Sequence, residues 1–90
     1  DRRMDTKAYV YILECKDHTY YTGYTTDVEN RLKMHNLGRG AKYTRARRPC
    51  RLVYSKACDS KSSAMKLEYK IKQLSRKEKV DLILGVLKEL

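Results

Sequence analysis

"AYVYILECKDHTYYTGYT", residues 8–25, holds five of the eight tyrosines of this 90-residue chain and reads as two strands around a turn. From Ala8 to Cys15 the residues are aromatic and β-branched, the polar KDHT follows, and strand character resumes by Tyr20, so the stretch is predicted to be a β-hairpin. The length of the turn decides which side chains share a face. A two- or four-residue turn centred on Asp17–His18 sends Tyr11 and Tyr21 to opposite faces. An odd turn such as Lys16-Asp17-His18, or a bulge, puts them on one face and nearly opposite each other. Gly23 then leaves a bare patch of strand beside them, where another group can approach the backbone. The chain has no Phe and no Trp. A liking of tyrosine for strands does not explain that absence, whereas ring hydroxyls suit a polar pocket that touches phosphate.

Beyond the hairpin, TTDVENRLKMHNLGRG switches to a helical pattern, with Thr26 and Glu29 as a capping-box pair and Gly38 or Gly40 as the stop. GRGAKYTRARRPC lacks apolar periodicity and reads as a basic loop. RLVYSKAC is predicted as a third strand, and Asp59 or Ser60 as the cap of a second helix whose apolar stripe is Ala64, Leu67, Ile71 and Leu74. Ser75 and Glu78 open a third helix, expected to run to the C-terminus with Val80, Ile83, Leu84 and Leu87 on one face. The order ββαβαα predicts an α+β sandwich of two or three layers, with residues 1–7 as a flexible N-terminus and 8–90 as a single domain.

Twenty-one Lys+Arg against eleven Asp+Glu give a net charge of +10, which favours polyanionic partners. No apolar run approaches the ~18–20 residues that span a bilayer, and no signal-peptide pattern opens the chain, so a soluble, cytoplasmic protein is the expectation. Cys15, Cys50 and Cys58 are odd in number and lack C-x-x-C spacing, which argues against a disulfide framework or a zinc site.

Three groups of residues carry possible chemistry. Arg31 and His35 lie one turn apart on the first helix, beside the stripe of Val28 and Leu32. Glu68 borders the apolar stripe of the second helix, either as an i,i+4 partner of Lys72 or as a carboxylate ligand of Mg²⁺. Arg39, Lys42, Arg45, Arg47, Arg48 and Arg51 place six cations within thirteen residues with no acid among them, and Tyr43 is interleaved. Such a loop reads as a nucleic-acid contact that grips phosphates.

Taken together, YVY at 9–11, YTG at 21–23, Arg31, His35 and Glu68, with the loop from Gly40 to Pro49, resemble the GIY-YIG nuclease superfamily, in its small stand-alone bacterial branch. The resemblance implies a three-stranded antiparallel sheet flanked by helices and a divalent-metal-dependent cleavage of DNA phosphodiesters. It makes Tyr11 and Tyr21 the active-site phenols, Arg31 the ligand of the scissile phosphate, Glu68 the holder of Mg²⁺ or Mn²⁺, His35 a supporting residue and Gly23 a close-approach position. Tyr11 is expected to be the general base, with nearby cations lowering its pKa, although the two phenols can exchange roles. The resemblance also implies a late phosphate-binding Asn, and no Asn follows Asn36.

Two functions follow. One is an endonuclease acting on branched, nicked or damaged DNA. The other is a nucleic-acid-binding module on the same scaffold without turnover. RNA stays open as a partner, no small-molecule cofactor or membrane is expected, and a monomer is the simpler oligomeric state.

Overall fold

In the computed structural model residues 7–87 are described. The flexible segment expected over 1–7 therefore lies, apart from Lys7, outside the described residues, as do residues 88–90. The elements are β1 (Ala8–Glu14), β2 (Tyr20–Thr25), α1 (Val28–Asn36), α2 (Lys42–Arg45), β3 (Arg51–Cys58), α3 (Lys61–Lys72) and α4 (Arg76–Ile83). The strands form one antiparallel sheet in the order β2-β1-β3. The expected α+β architecture, a three-stranded antiparallel sheet flanked by helices, is what the chain adopts, with α2 as an addition to the order ββαβαα.

β1 lacks polar alternation because, as the middle strand, it is buried on both faces. Ala8, Val10 and Ile12 pack with Ala64, Ile71 and Leu82 on one side. Tyr11, Leu13 and Cys15 cluster with Cys50 on the other, against Tyr21, Val28 and Leu32. Three layers result, with α1 on one face of the sheet and α3 and α4 on the other. Cys15 and Cys50 are free thiols 3.6 Å apart, and burial and the neighbouring thiol push Cys50 up to about 12. Among the described residues no helix is long and apolar enough to cross a membrane.

The hairpin closes with the odd turn. Cys15 N–H donates to Thr19 O at 2.8 Å and His18 N–H to Cys15 O at 2.9 Å, which leaves Lys16, Asp17 and His18 as a three-residue loop. His18 takes a left-handed φ of 67°, as the last residue of such a loop does. Tyr11 then pairs with Gly23, and Tyr21 with Leu13, so the two phenols sit diagonally on one face.

Helix ends depart from the sequence reading in two places. α1 is capped by Asp27, whose carboxylate accepts from Asn30 N–H at 3.0 Å, rather than by Thr26. Thr25 Oγ1 takes the Asp27 N–H at 3.2 Å and so draws the start of the helix one residue later. Gly38, at φ +80°, turns the chain after α1. Ser60 caps α3, and Ser75 and Glu78 form the predicted capping box of α4. α4, however, ends at Ile83. Gly85 adopts φ +84°, and the N–H groups of Val86 and Leu87 close onto Asp81 O, which breaks the long stripe expected there. Leu82 is consequently the buried residue, at 5% exposure, and Leu84 is 70% exposed.

Leu82→Ala is expected to cost about 2–5 kcal/mol of unfolding free energy. Leu84→Ala is expected to stay within about 0.5 kcal/mol. Urea denaturation measures both, and equal losses would contradict this packing of α4.

Candidate active site

Tyr11, Tyr21, Gly23, Tyr24, Arg31 and Glu68 line one cleft of about 290 Å³. Three layers contribute to it. β1 brings Tyr11, the edge strand β2 brings Tyr21, Gly23 and Tyr24, α1 brings Arg31, and Glu68 comes from α3 on the opposite face of the sheet. The ring centroids of Tyr11 and Tyr21 are 6.4 Å apart. Tyr11 lies over Gly23, where an added Cβ would stand 2.7 Å from the phenol oxygen, so the strand must be bare at that point.

His35 was expected beside the apolar stripe of α1, and it lies inside the core, 1% exposed. Burial of an imidazole requires partners for both nitrogens. Nε2 is 3.0 Å from Tyr11 Oη and Nδ1 is 2.7 Å from Thr44 Oγ1. Thr44 donates its single hydroxyl hydrogen to Ala41 O at 2.9 Å. We assign the imidazole proton to Nδ1 on that ground, since Thr44 Oγ1 then accepts from it. The Ala41 amide, 3.4 Å from Nδ1, makes no hydrogen bond in this tautomer, because a protonated Nδ1 cannot accept. Nε2 is thereby an acceptor, and the Tyr11 hydroxyl donates to it.

Burial is the largest influence on both partners. It raises the Tyr11 pKa well above the ordinary phenol value, with Tyr21 adding to the rise and Arg31 opposing it. The expectation that cations draw Tyr11 toward phenolate is therefore not met by the protein's own groups, because desolvation outweighs Arg31. Burial, and secondarily Arg31, also lowers the His35 pKa.

Arg31 is exposed at the cleft, and none of the salt bridges among the described residues engages it. Glu68 is the cleft's one carboxylate and is 3.3 Å from Lys72, its i,i+4 neighbour. Among the described residues no three His, Cys, Asp or Glu side chains group as metal ligands. A single carboxylate facing a polar cleft fits Mg²⁺, which keeps most of its waters, better than metals that need several protein ligands.

The basic loop is more structured than its composition suggests. Residues 42–45 form the helical turn α2, anchored by the wholly buried Thr44 rather than by an apolar residue. Arg47 pairs with Asp17 at 3.1 Å and lies 4.0 Å over the Tyr43 ring. Arg51 donates to Glu14 at 3.0 Å, and Arg48 donates to the carbonyls of Arg45 and Asn36. These three cations brace the loop, while Arg39, Lys42 and Arg45 stand exposed. Asn36 pins the far end by exchanging two hydrogen bonds with the Cys50 backbone.

Sequence reasoning did not find Thr44 or Gly40. Thr44 has no pattern signal, since its partner is nine residues away. Gly40 is read from the sequence as a helix stop and as the start of the basic loop, yet a Cβ there would collide with the His35 ring. Tyr43, placed in the basic loop, stacks on Tyr21 with centroids 6.0 Å apart and so extends the aromatic wall of the site.

Residues 7–81 match the family model described as the GIY-YIG catalytic domain. A UPF0213 protein of Staphylococcus haemolyticus is 57% identical over 77 residues, which cover 86% of this chain and 94% of that protein. The solution NMR structure of a UPF0213 protein from Bacillus halodurans is similar with a TM-score of 0.56 and 58% identity, covering 86% of this chain and 82% of that one. A second NMR structure, of a protein from E. faecalis, gives a TM-score of 0.58 and 36% identity, over 93% and 92% of the two chains.

Because the folded state resists protonation of His35, lowering the pH through the ordinary histidine value of about 6.5 adds a proton first to the unfolded chain. His35 therefore costs stability as pH falls below that value and costs none above it. NMR titration is expected to show the His35 ring titrating below pH 6.5, with a flatter acid-side stability profile in His35→Gln. Titration of His35 at or above 6.5 would contradict the buried network.

Proposed function

This chain belongs to the GIY-YIG family, and we propose that it is a divalent-metal-dependent endonuclease that hydrolyses DNA phosphodiester bonds. The observation that carries the reading is the convergence of the Tyr11 and Tyr21 phenols, the Arg31 guanidinium and the Glu68 carboxylate on a single cleft, although they come from four elements.

Each group has a distinct task. Glu68 would hold Mg²⁺ or Mn²⁺, which when bound polarises the phosphate as a Lewis acid. Arg31 offers a fork of N–H donors to the non-bridging oxygens, where charge builds as the phosphorus is attacked. Tyr21, half-buried at the cleft wall, donates its hydroxyl to the same oxygens. Tyr11 points its own hydrogen at His35 Nε2, which leaves an oxygen lone pair to accept from the attacking water. As the water oxygen bonds to phosphorus, its proton passes to Tyr11 and the Tyr11 proton passes to His35. The bond to the leaving oxygen breaks, that oxygen takes a proton from solvent, and the proton held by His35 returns through Tyr11 to solvent, which resets the relay. A raised phenol pKa is no obstacle along this path, because Tyr11 is never a free phenolate. The lowered pKa of His35 keeps its acceptor nitrogen available at neutral pH.

Branched, nicked or damaged DNA are the candidate substrates. The second reading, a DNA-binding module without turnover, is favoured by one pair of facts: Lys72 already neutralises Glu68, and no Asn follows Asn36 to bind phosphate. Nicking of supercoiled plasmid in Mg²⁺ or Mn²⁺ separates the two. Wild type is expected to nick about 100-fold or more faster than Glu68→Ala or Arg31→Ala, in line with the loss of one transition-state donor. A wild type no faster than those variants leaves only the binding module.

A further inference from the structure

A second cleft, of about 240 Å³, shares the Tyr21 wall with the first and is completed by Tyr20, Thr22, Tyr43, Lys72 and Lys79. Its composition is one-sided. Four hydroxyl-bearing residues and two lysines line it, and no carboxylate does. Lys72 joins the two clefts, since its ammonium pairs with Glu68 of the first at 3.3 Å. Lys79 is partly buried on α4.

The surroundings hold this cleft in shape. Arg76, at the start of α4, donates to His18 O at 2.9 Å and lies 4.8 Å over the Tyr20 ring. The hairpin loop and α4 are thereby tied together, and Lys79 sits one turn further along the same helix. On the other wall Arg47 covers Tyr43, which stacks on Tyr21. Of the two cations packed on these rings, Arg76 adds to the positive field, whereas Arg47 is paired with Asp17.

We propose that this cleft is a phosphate subsite, in which Lys72 and Lys79 hold the phosphodiester next to the scissile one on the same polynucleotide strand. The inference rests on the nuclease reading for the identity of the strand, but not on turnover. Hydroxyl-bearing and ammonium side chains are the chemistry that a phosphodiester oxygen pair requires, and Lys79 offers its ammonium with no acid in the lining, whereas Lys72 shares its own with Glu68. The shared Tyr21 wall makes the two clefts one continuous track. Lys79 takes no part in the first cleft, so its loss reports on the second alone.

Binding of a fluorescently labelled single-stranded DNA 12-mer, followed by anisotropy in EDTA across a salt series, tests the proposal without any cleavage. Lys79→Ala is expected to weaken binding several-fold at low salt and to flatten the slope of log K against log salt by about 0.7, the value for one single-strand phosphate contact. Lys33→Ala, on the exposed face of α1, is the charge-matched control and is expected to leave the slope unchanged. Equal behaviour of Lys79→Ala and wild type, or an equal slope loss in Lys33→Ala, overturns the subsite. So does absence of oligonucleotide binding. Inorganic phosphate provides the second arm. It is expected to shift the amides of Thr22 and Lys79 in NMR spectra but not to displace the oligonucleotide at equal phosphate concentration. Displacement at that concentration would make the cleft a site for free anions and overturn the strand assignment. Intact oligonucleotide binding in a protein that nicks no plasmid would remove the nuclease reading and leave the subsite standing.

Discussion

With Lys16, Asp17 and His18 as an odd-numbered loop, β1 and β2 meet in a register that brings Tyr11 and Tyr21 onto one face. One residue more or fewer in that loop, without a compensating bulge, would turn the whole set of β2 side chains over. Tyr21 and Gly23 would then face α3, and Thr22 and Tyr24 would face α1. The local devices that hold the loop are modest. Asp17 takes two hydrogen bonds from Thr19 and an ion pair from Arg47, and His18 accepts a left-handed backbone. Two-sided burial of β1 makes the register strict, because a slipped strand would expose apolar residues from both cores at once.

The same burial gives the site its electrostatic character. A phenol and an imidazole deep in the protein favour their neutral forms, and each is satisfied by the other. Thr44 and Gly40 complete that arrangement from the loop, so a segment that looks like a solvated run of charge acts as the back wall of the site. Its arginines divide between bracing the loop and facing solvent. The brace depends on acids in the hairpin, Glu14 and Asp17, which lie thirty or more residues earlier.

Legibility in the sequence followed the range of the interactions. The hairpin, the apolar stripe of α3 and the capping box of α4 depend on neighbours within a few residues, and all were readable. The odd turn was one of two parities that the sequence left open, because turn length is set by hydrogen bonds that a string of letters does not show. α4 was read as too long, since Val80, Ile83, Leu84 and Leu87 fit a helical period that Gly85 interrupts. Helix α2 was missed because its anchor is a threonine bonded to a histidine, a polar contact with no periodic signature. At the candidate site Tyr11, Tyr21, Gly23, Arg31 and Glu68 were named from spacing and resemblance, whereas the depth of His35 and the dominance of burial over charge at Tyr11 needed three dimensions.

Occupancy of the cleft by a cation at Glu68 is the point on which the account turns. Titration of ¹⁵N-labelled protein with Mn²⁺ reads it directly, through paramagnetic broadening of nearby amides. The account requires broadening centred on Gly23, Tyr24, Arg31 and Glu68 that disappears in Glu68→Gln. Broadening spread over other acidic positions such as Glu29 and Asp59, or unchanged by Glu68→Gln, would contradict it.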